Sequence, residues 1–159
     1  MGYGKEIMDK KFMQQAIDLA LRAEKDGNLP VGSVITLKDK VVAEGPSRVY
    51  QPHIDLTRHA EMEAIRDLPP ELWGRTEDLV LYTTLSPCLM CLGAILLSGI
   101  PRVVYGTAYK QGGTKTLAEH LPPFFKVRYQ SLEWIGPLMQ KECDPLQTRL
   151  FEIENKRSG

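Results

Sequence analysis

The stretch Leu79-Val80-Leu81-Tyr82-Thr83-Thr84-Leu85-Ser86-Pro87-Cys88-Leu89-Met90-Cys91-Leu92-Gly93-Ala94-Ile95, continuing through Gly99 to Pro101-Arg102-Val103-Val104-Tyr105-Gly106, decides the fold. Leu79–Leu85 is an apolar run of strand length. Pro87 suits the first turn of a helix, where a missing N–H costs nothing, and Gly99 ends that helix. Residues 101–106 are again strand-like. Strand, helix and strand in one short span form a βαβ unit, which requires a parallel pair and places the chain in the α/β class.

Upstream, His59–Leu68 reads as a helix, with Thr57 as its expected N-cap and Pro69-Pro70 as its stop. Val31–Leu37 and Lys40–Glu44 are β-prone runs joined by Lys38-Asp39, a hairpin pattern. Gly32 beside Ser33 leaves room for close backbone approach. Residues 9–25 carry Phe12, Met13, Ala16, Ile17, Ala20 and Leu21 at helical spacing. Gly45 to Arg58 is polar and proline-broken, and is expected to be a surface loop. Downstream, Val127–Trp134 is expected to be a last strand. Residues 136–156 are expected to be helical, kinked or split at Pro145. Cys143 is expected to be a partly buried small hydrophobe. Residues 1–159 show no repeat and no linker, so one domain is expected.

Composition narrows the function classes. The 159 residues carry 20 basic and 20 acidic side chains, for a net charge of zero. That is not the balance of a dedicated nucleic-acid binder. Hydrophobic residues make up 43%, an ordinary globular fraction. No run approaches a membrane span and the N-terminus is unlike a signal peptide, so a cytoplasmic protein with no membrane partner is expected.

Cys88 and Cys91, three apart at a helix start, can share a metal, and the positive end of the helix dipole favours their thiolates. His59 begins another helix and offers a neutral imidazole. Three protein ligands leave a fourth tetrahedral position open, as in catalytic zinc sites. Glu61, two residues from His59, is placed to carry protons. Other readings of Cys-x-x-Cys stand beside this one. It is also the pattern of a redox pair, or of half a structural zinc knuckle, although no second Cys-x-x-Cys is present.

The combination is sharper than its parts. His59-Ala60-Glu61 with Pro87-Cys88-Leu89-Met90-Cys91 matches H-x-E followed by P-C-x-x-C, the signature of zinc-dependent nucleobase deaminases. The chain resembles the cytidine and deoxycytidylate deaminase superfamily. It is most similar to the branch with tRNA adenosine deaminases, guanine deaminases and fungal cytosine deaminase. Pro30-Val31-Gly32, Leu81–Leu85 and Cys91–Ile95 extend the likeness over about Met13 to Tyr105. The resemblance implies a three-layer α/β/α cytidine-deaminase-like fold on a mixed five-stranded sheet. It implies zinc held by His59, Cys88 and Cys91, with Glu61 as the catalytic proton shuttle. It also implies substrate contacts from backbone near Ala60, Ser86 and Cys88, and a homodimer.

The ring that is deaminated is not specified by these motifs. Relatives usually carry a base-reading asparagine two residues beyond a glycine. Here Gly45-Pro46-Ser47 puts Ser47 there, with Arg48, His53 or Asp55 as substitutes. The arginine and aspartate typical of tRNA-editing relatives after Gly106 are replaced by Thr107-Ala108-Tyr109-Lys110. The expected activity is therefore hydrolytic deamination of a small amino-substituted base, nucleoside or related heterocycle. The alternative is a tRNA-specific adenosine deaminase making inosine in an anticodon loop, with Lys110, Lys115, Lys126 and Arg128 as a phosphate-binding surface. A zinc-stabilised binding module has no need of Glu61. Phe124, Phe125, Tyr129 and Trp134 are expected in the core rather than in a pocket, and Lys156-Arg157 as a solvated tail.

Overall fold

The computed structural model describes residues 2–114 and 117–159. Five strands form one mixed sheet in the order β2-β1-β3-β4-β5. They are β1 (Gly32–Leu37), β2 (Lys40–Pro46), β3 (Leu79–Leu85), β4 (Arg102–Thr107) and β5 (Glu133–Ile135). β1 is antiparallel to β2 and β3, while β3, β4 and β5 run parallel. The helices are α1 (Gly2–Lys25), α2 (Ala60–Arg66), α3 (Leu89–Ser98), α4 (Pro123–Ser131) and α5 (Gln140–Ser158). The βαβ unit is β3-α3-β4, and Gly99 closes α3 with a left-handed φ of 76°.

Strand alternation sorts the core into two layers. Ile35, Leu79, Leu81 and Val103 face Ala64, Ile65, Leu92 and Ile95 of α2 and α3. Val34, Tyr82 and Val104 face Phe12, Met13, Ala16, Cys143 and Leu146 of α1 and α5. The result is the expected three-layer α/β/α arrangement.

Two glycines set helix-to-sheet distances. A Cβ on Gly32 would lie 2.0 Å from the Ala16 carbonyl of α1. A Cβ on Gly45 would lie 2.0 Å from the Ala60 carbonyl and 2.5 Å from the Ala64 N of α2. Only a missing side chain lets α2 lie this close to β2, and that contact places the residues at its N-terminus.

Several expectations need correction. The run from Val127 is not a strand: Pro123 opens α4, and Phe125 and Tyr129, one turn apart, pack on the core. The polar-apolar alternation of Val127–Trp134 mimics period two, yet only Glu133–Ile135 pairs with β4. Pro145 lies inside α5 without splitting it; its missing N–H spares only the carbonyl of exposed Lys141. Thr57 does not cap α2. His59 is the N-cap residue, and both the N–H and hydroxyl of Thr57 donate to Asp55. Leu21 is 45% exposed rather than in the core. Cys143 is fully buried, and burial pushes its thiol up to about 12. No helix among the described residues is long and apolar enough to cross a membrane.

Candidate metal centre and active site

The N-termini of α2 and α3 meet at the end of β3. His59 precedes α2 and Cys88 precedes α3 as N-cap residues, with Cys91 in the first turn of α3. The His59 Nδ1 lies 3.6 Å from the sulfurs of both Cys88 and Cys91. Their three ligand atoms lie within 4.8 Å of one another. Zinc bonds of about 2.3 Å to sulfur and about 2.0 Å to nitrogen, at a tetrahedral angle, put S and N about 3.5 Å apart. The donor set and its spacing therefore fit zinc. The Cys88 thiol is lowered to about 4 by its bond with Cys91, while Cys91 is raised by that same bond and by burial. Metal binding to such a pair is coupled to loss of the thiol protons.

Glu61 is only 4% exposed, and desolvation raises its pKa. Its carboxylate lies 3.5 Å from the Cys91 sulfur and accepts from Thr83 Oγ1 at 3.2 Å. Ser33 Oγ donates to Thr83 Oγ1 at 2.9 Å, across a β1–β3 pair in register. Thr83 has one proton and two acceptors, since the Leu85 carbonyl lies 3.1 Å away. When that proton goes to Leu85, Thr83 can accept from a protonated Glu61. The relay suits a carboxyl that alternates between its two forms.

These groups open into a pocket of about 50 Å³, enough for a few waters. Ser47, Ala60, Ser86, His59, Glu61 and Cys88 all line it, so every expected site residue but the buried Cys91 reaches its wall. The loop after β2 is less superficial than its composition suggests. Ser47 is 2% exposed, its N–H donates to the Val31 carbonyl, and its hydroxyl has no partner among the described residues. Asn28 Oδ1 accepts from the N–H groups of both Tyr50 and Gln51 and pins the turn that follows. Arg48, His53 and Asp55 do not reach the pocket. They line a separate surface depression with Glu63, which Arg58 grips at 2.9 Å.

Sequence reasoning also missed the apolar wall of Leu29, Val31, Val49 and Leu85, and with it Tyr109, Leu150 and Glu154. Leu150 and Glu154 share one face of α5 at i and i+4, and helical periodicity was the available signal. Phe151 of α5 stacks on Tyr109 at 6.2 Å. Arg157 lies 3.7 Å from the centre of the Tyr50 ring, so this part of the tail is packed rather than free. The Glu154 carboxylate has no hydrogen-bond or ion-pair partner among the described residues. The Ser86 N–H donates to Thr107, which leaves its carbonyl for other partners. Of the basic side chains after Gly106, Arg128 packs over Phe124 and donates to the Leu96 carbonyl, and Lys115 lies outside the described residues.

A zinc site with an adjacent buried carboxylate, on this sheet, defines a hydrolytic deaminase. Comparison with known proteins agrees. Residues 6–107 match the model of the cytidine and deoxycytidylate deaminase zinc-binding region, and the chain belongs to that family, whose cofactor is zinc. A tRNA-specific adenosine deaminase of Buchnera aphidicola is 31% identical over 154 residues, spanning 96% of this chain and 99% of that protein. A cytosine deaminase of Candida albicans is 44% identical over 100 residues, spanning 62% and 65%. A solved structure from a study of A-to-I editing by tRNA:A34 deaminases superposes with a TM-score of 0.67 at 27% identity, covering 86% of this chain and 98% of that one.

Proposed function

We propose that this chain, as one domain over residues 1–159, removes the exocyclic amine from a small amino-substituted base, nucleoside or related heterocycle. The observation that carries the reading is the narrow pocket in which Glu61 stands beside the His59, Cys88 and Cys91 triad, with α5 along one wall. His59, Cys88 and Cys91 hold zinc, which supplies the Lewis acidity that makes water nucleophilic at neutral pH. Glu61 takes the proton of the attacking water and passes it to the ring nitrogen beside the reacting carbon. It then helps protonate the amine, which departs as ammonia and leaves a carbonyl on the ring. Burial favours the protonated form of Glu61, which suits a carboxyl that must hold a proton between the two transfers. The free N–H of Ala60, at the start of α2, and the Ser86 carbonyl orient the reacting edge. The unpartnered Ser47 hydroxyl and the Glu154 carboxylate read the rest of the ring, and a carboxylate there selects rings that present an N–H.

A second reading, a tRNA-specific adenosine deaminase, is favoured by the full-length similarity to such enzymes. Ammonia release across free bases, nucleosides and a tRNA anticodon stem-loop separates the two. The first reading expects turnover of a free small ring and none of the stem-loop; turnover of the stem-loop alone overturns it. In this reading Glu154→Gln lowers kcat/KM for the best small ring about tenfold or more, as loss of a charged hydrogen bond does. An unchanged value removes Glu154 from ring recognition.

The protein works as a homodimer in this reading. Leu89, Gly93 and Leu97 form an i, i+4, i+8 stripe on α3, and Leu89 and Leu97 are 60% and 62% exposed. An uncovered apolar stripe on the helix that carries the cysteines fits a second copy. The protein acts in the cytoplasm.

A further inference from the structure

A second cavity adjoins the catalytic pocket and is larger, about 350 Å³. Its walls include Tyr105 of β4, Tyr129 of α4, Trp134 of β5 and the loop residues Ala108 and Tyr109. No Asp, Glu, Lys, Arg or His among the described residues lines it. Its volume lies in the range of small-molecule sites, and its walls are aromatic. Tyr105 meets Trp134 edge to face, and Tyr129 meets Trp134 at a tilt of 49°. These rings do not stack face to face on one another.

Ser86 and Tyr109 line both cavities. Tyr109 is a fixed partition. Its N–H donates to Ser86 Oγ at 2.8 Å, its ring stacks on Phe151, and a Cβ on Gly112 would sit 2.4 Å from its Cε1. A ligand in the second cavity therefore touches the wall of the reacting pocket without entering it.

We propose that this cavity binds a second uncharged, planar heteroaromatic ring, a nucleobase, beside the ring that is deaminated. Among the described residues, charged ligands have no counter-charge there. A flat ring gains aromatic contact, and stacking on such walls tolerates any base. The ring comes either as a free base or joined to the substrate through a sugar-phosphate link. The two sources share one chemistry and differ only in tether.

Trp134 reports occupancy directly. The chain has two tryptophans, so Trp73→Phe leaves Trp134 alone. The zinc-loaded Trp73→Phe protein is titrated with uracil, hypoxanthine and the dinucleotide uridylyl-uridine, none of which has an amine to lose. The expected result is saturable quenching of Trp134. In that background Ala108→Leu, which fills the cavity, and Tyr129→Ala, which removes a wall, should each weaken it by about fivefold or more. Saturation by a free base assigns the ring to an independent molecule. Saturation by the dinucleotide alone assigns it to the substrate. No saturable change, or equal curves in both variants, overturns the proposal. The readout does not depend on deamination, so its failure leaves the catalytic reading standing.

Discussion

At the scale of single residues, Glu61 and its neighbours combine legible and hidden features. His59, Glu61, Cys88 and Cys91 are visible in the sequence because metal ligation and proton transfer admit few residue types at fixed spacings. The relay through Thr83 and Ser33 is not visible, because it depends on the β1–β3 register, which pairs residues 50 apart. Glu154 is hidden for a similar reason: whether α5 crosses the pocket is a tertiary fact. Burial of Glu61 also has a thermodynamic consequence. Its pKa is raised in the folded metal-free protein, so the native state binds a proton that the unfolded chain has released. Stability then falls as pH rises from the ordinary carboxylate value of 4.5 toward neutrality. Urea unfolding of metal-free protein should show Glu61→Gln gaining stability relative to wild type as pH rises through that window. A difference that does not change with pH would contradict the desolvated carboxylate.

At the scale of elements, β3-α3-β4 is legible because period-two and helical patterns are separated there by Pro87 and Gly99. The segment from Val127 is not, because a short alternating run fits either period and only packing on α3 decides. The position of α2 rests on Gly45. Gly45→Ala forces the Ala60 carbonyl away from a Cβ that would otherwise sit 2.0 Å from it. Overpacking of this kind costs about 1–3 kcal/mol, and here it also displaces His59. Thermal unfolding and zinc affinity should fall together; a variant with unchanged zinc affinity would show that α2 is positioned by other contacts.

At the scale of the whole molecule, the three layers follow from strand alternation, and the sequence carries that pattern openly. Assembly is less legible, because the α3 stripe can be judged unpartnered only once its buried face is known. Leu97→Asp places a charge in the proposed dimer contact and should convert a dimer to a monomer in sedimentation, with zinc retained. A wild type that sediments as a monomer would remove the dimer from the reading. The shared site and fold carry the family's chemistry, while Ser47, Tyr109 and Glu154 line the pocket in which we propose the ring is read. The central claim is that Glu61 moves the protons at a zinc centre held by His59, Cys88 and Cys91. Its most direct test is ammonia release by zinc-loaded Glu61→Gln on the best substrate of the wild-type protein. A loss of about a hundredfold to ten-thousandfold with zinc retained is expected for a general acid–base group; turnover equal to wild type would contradict it.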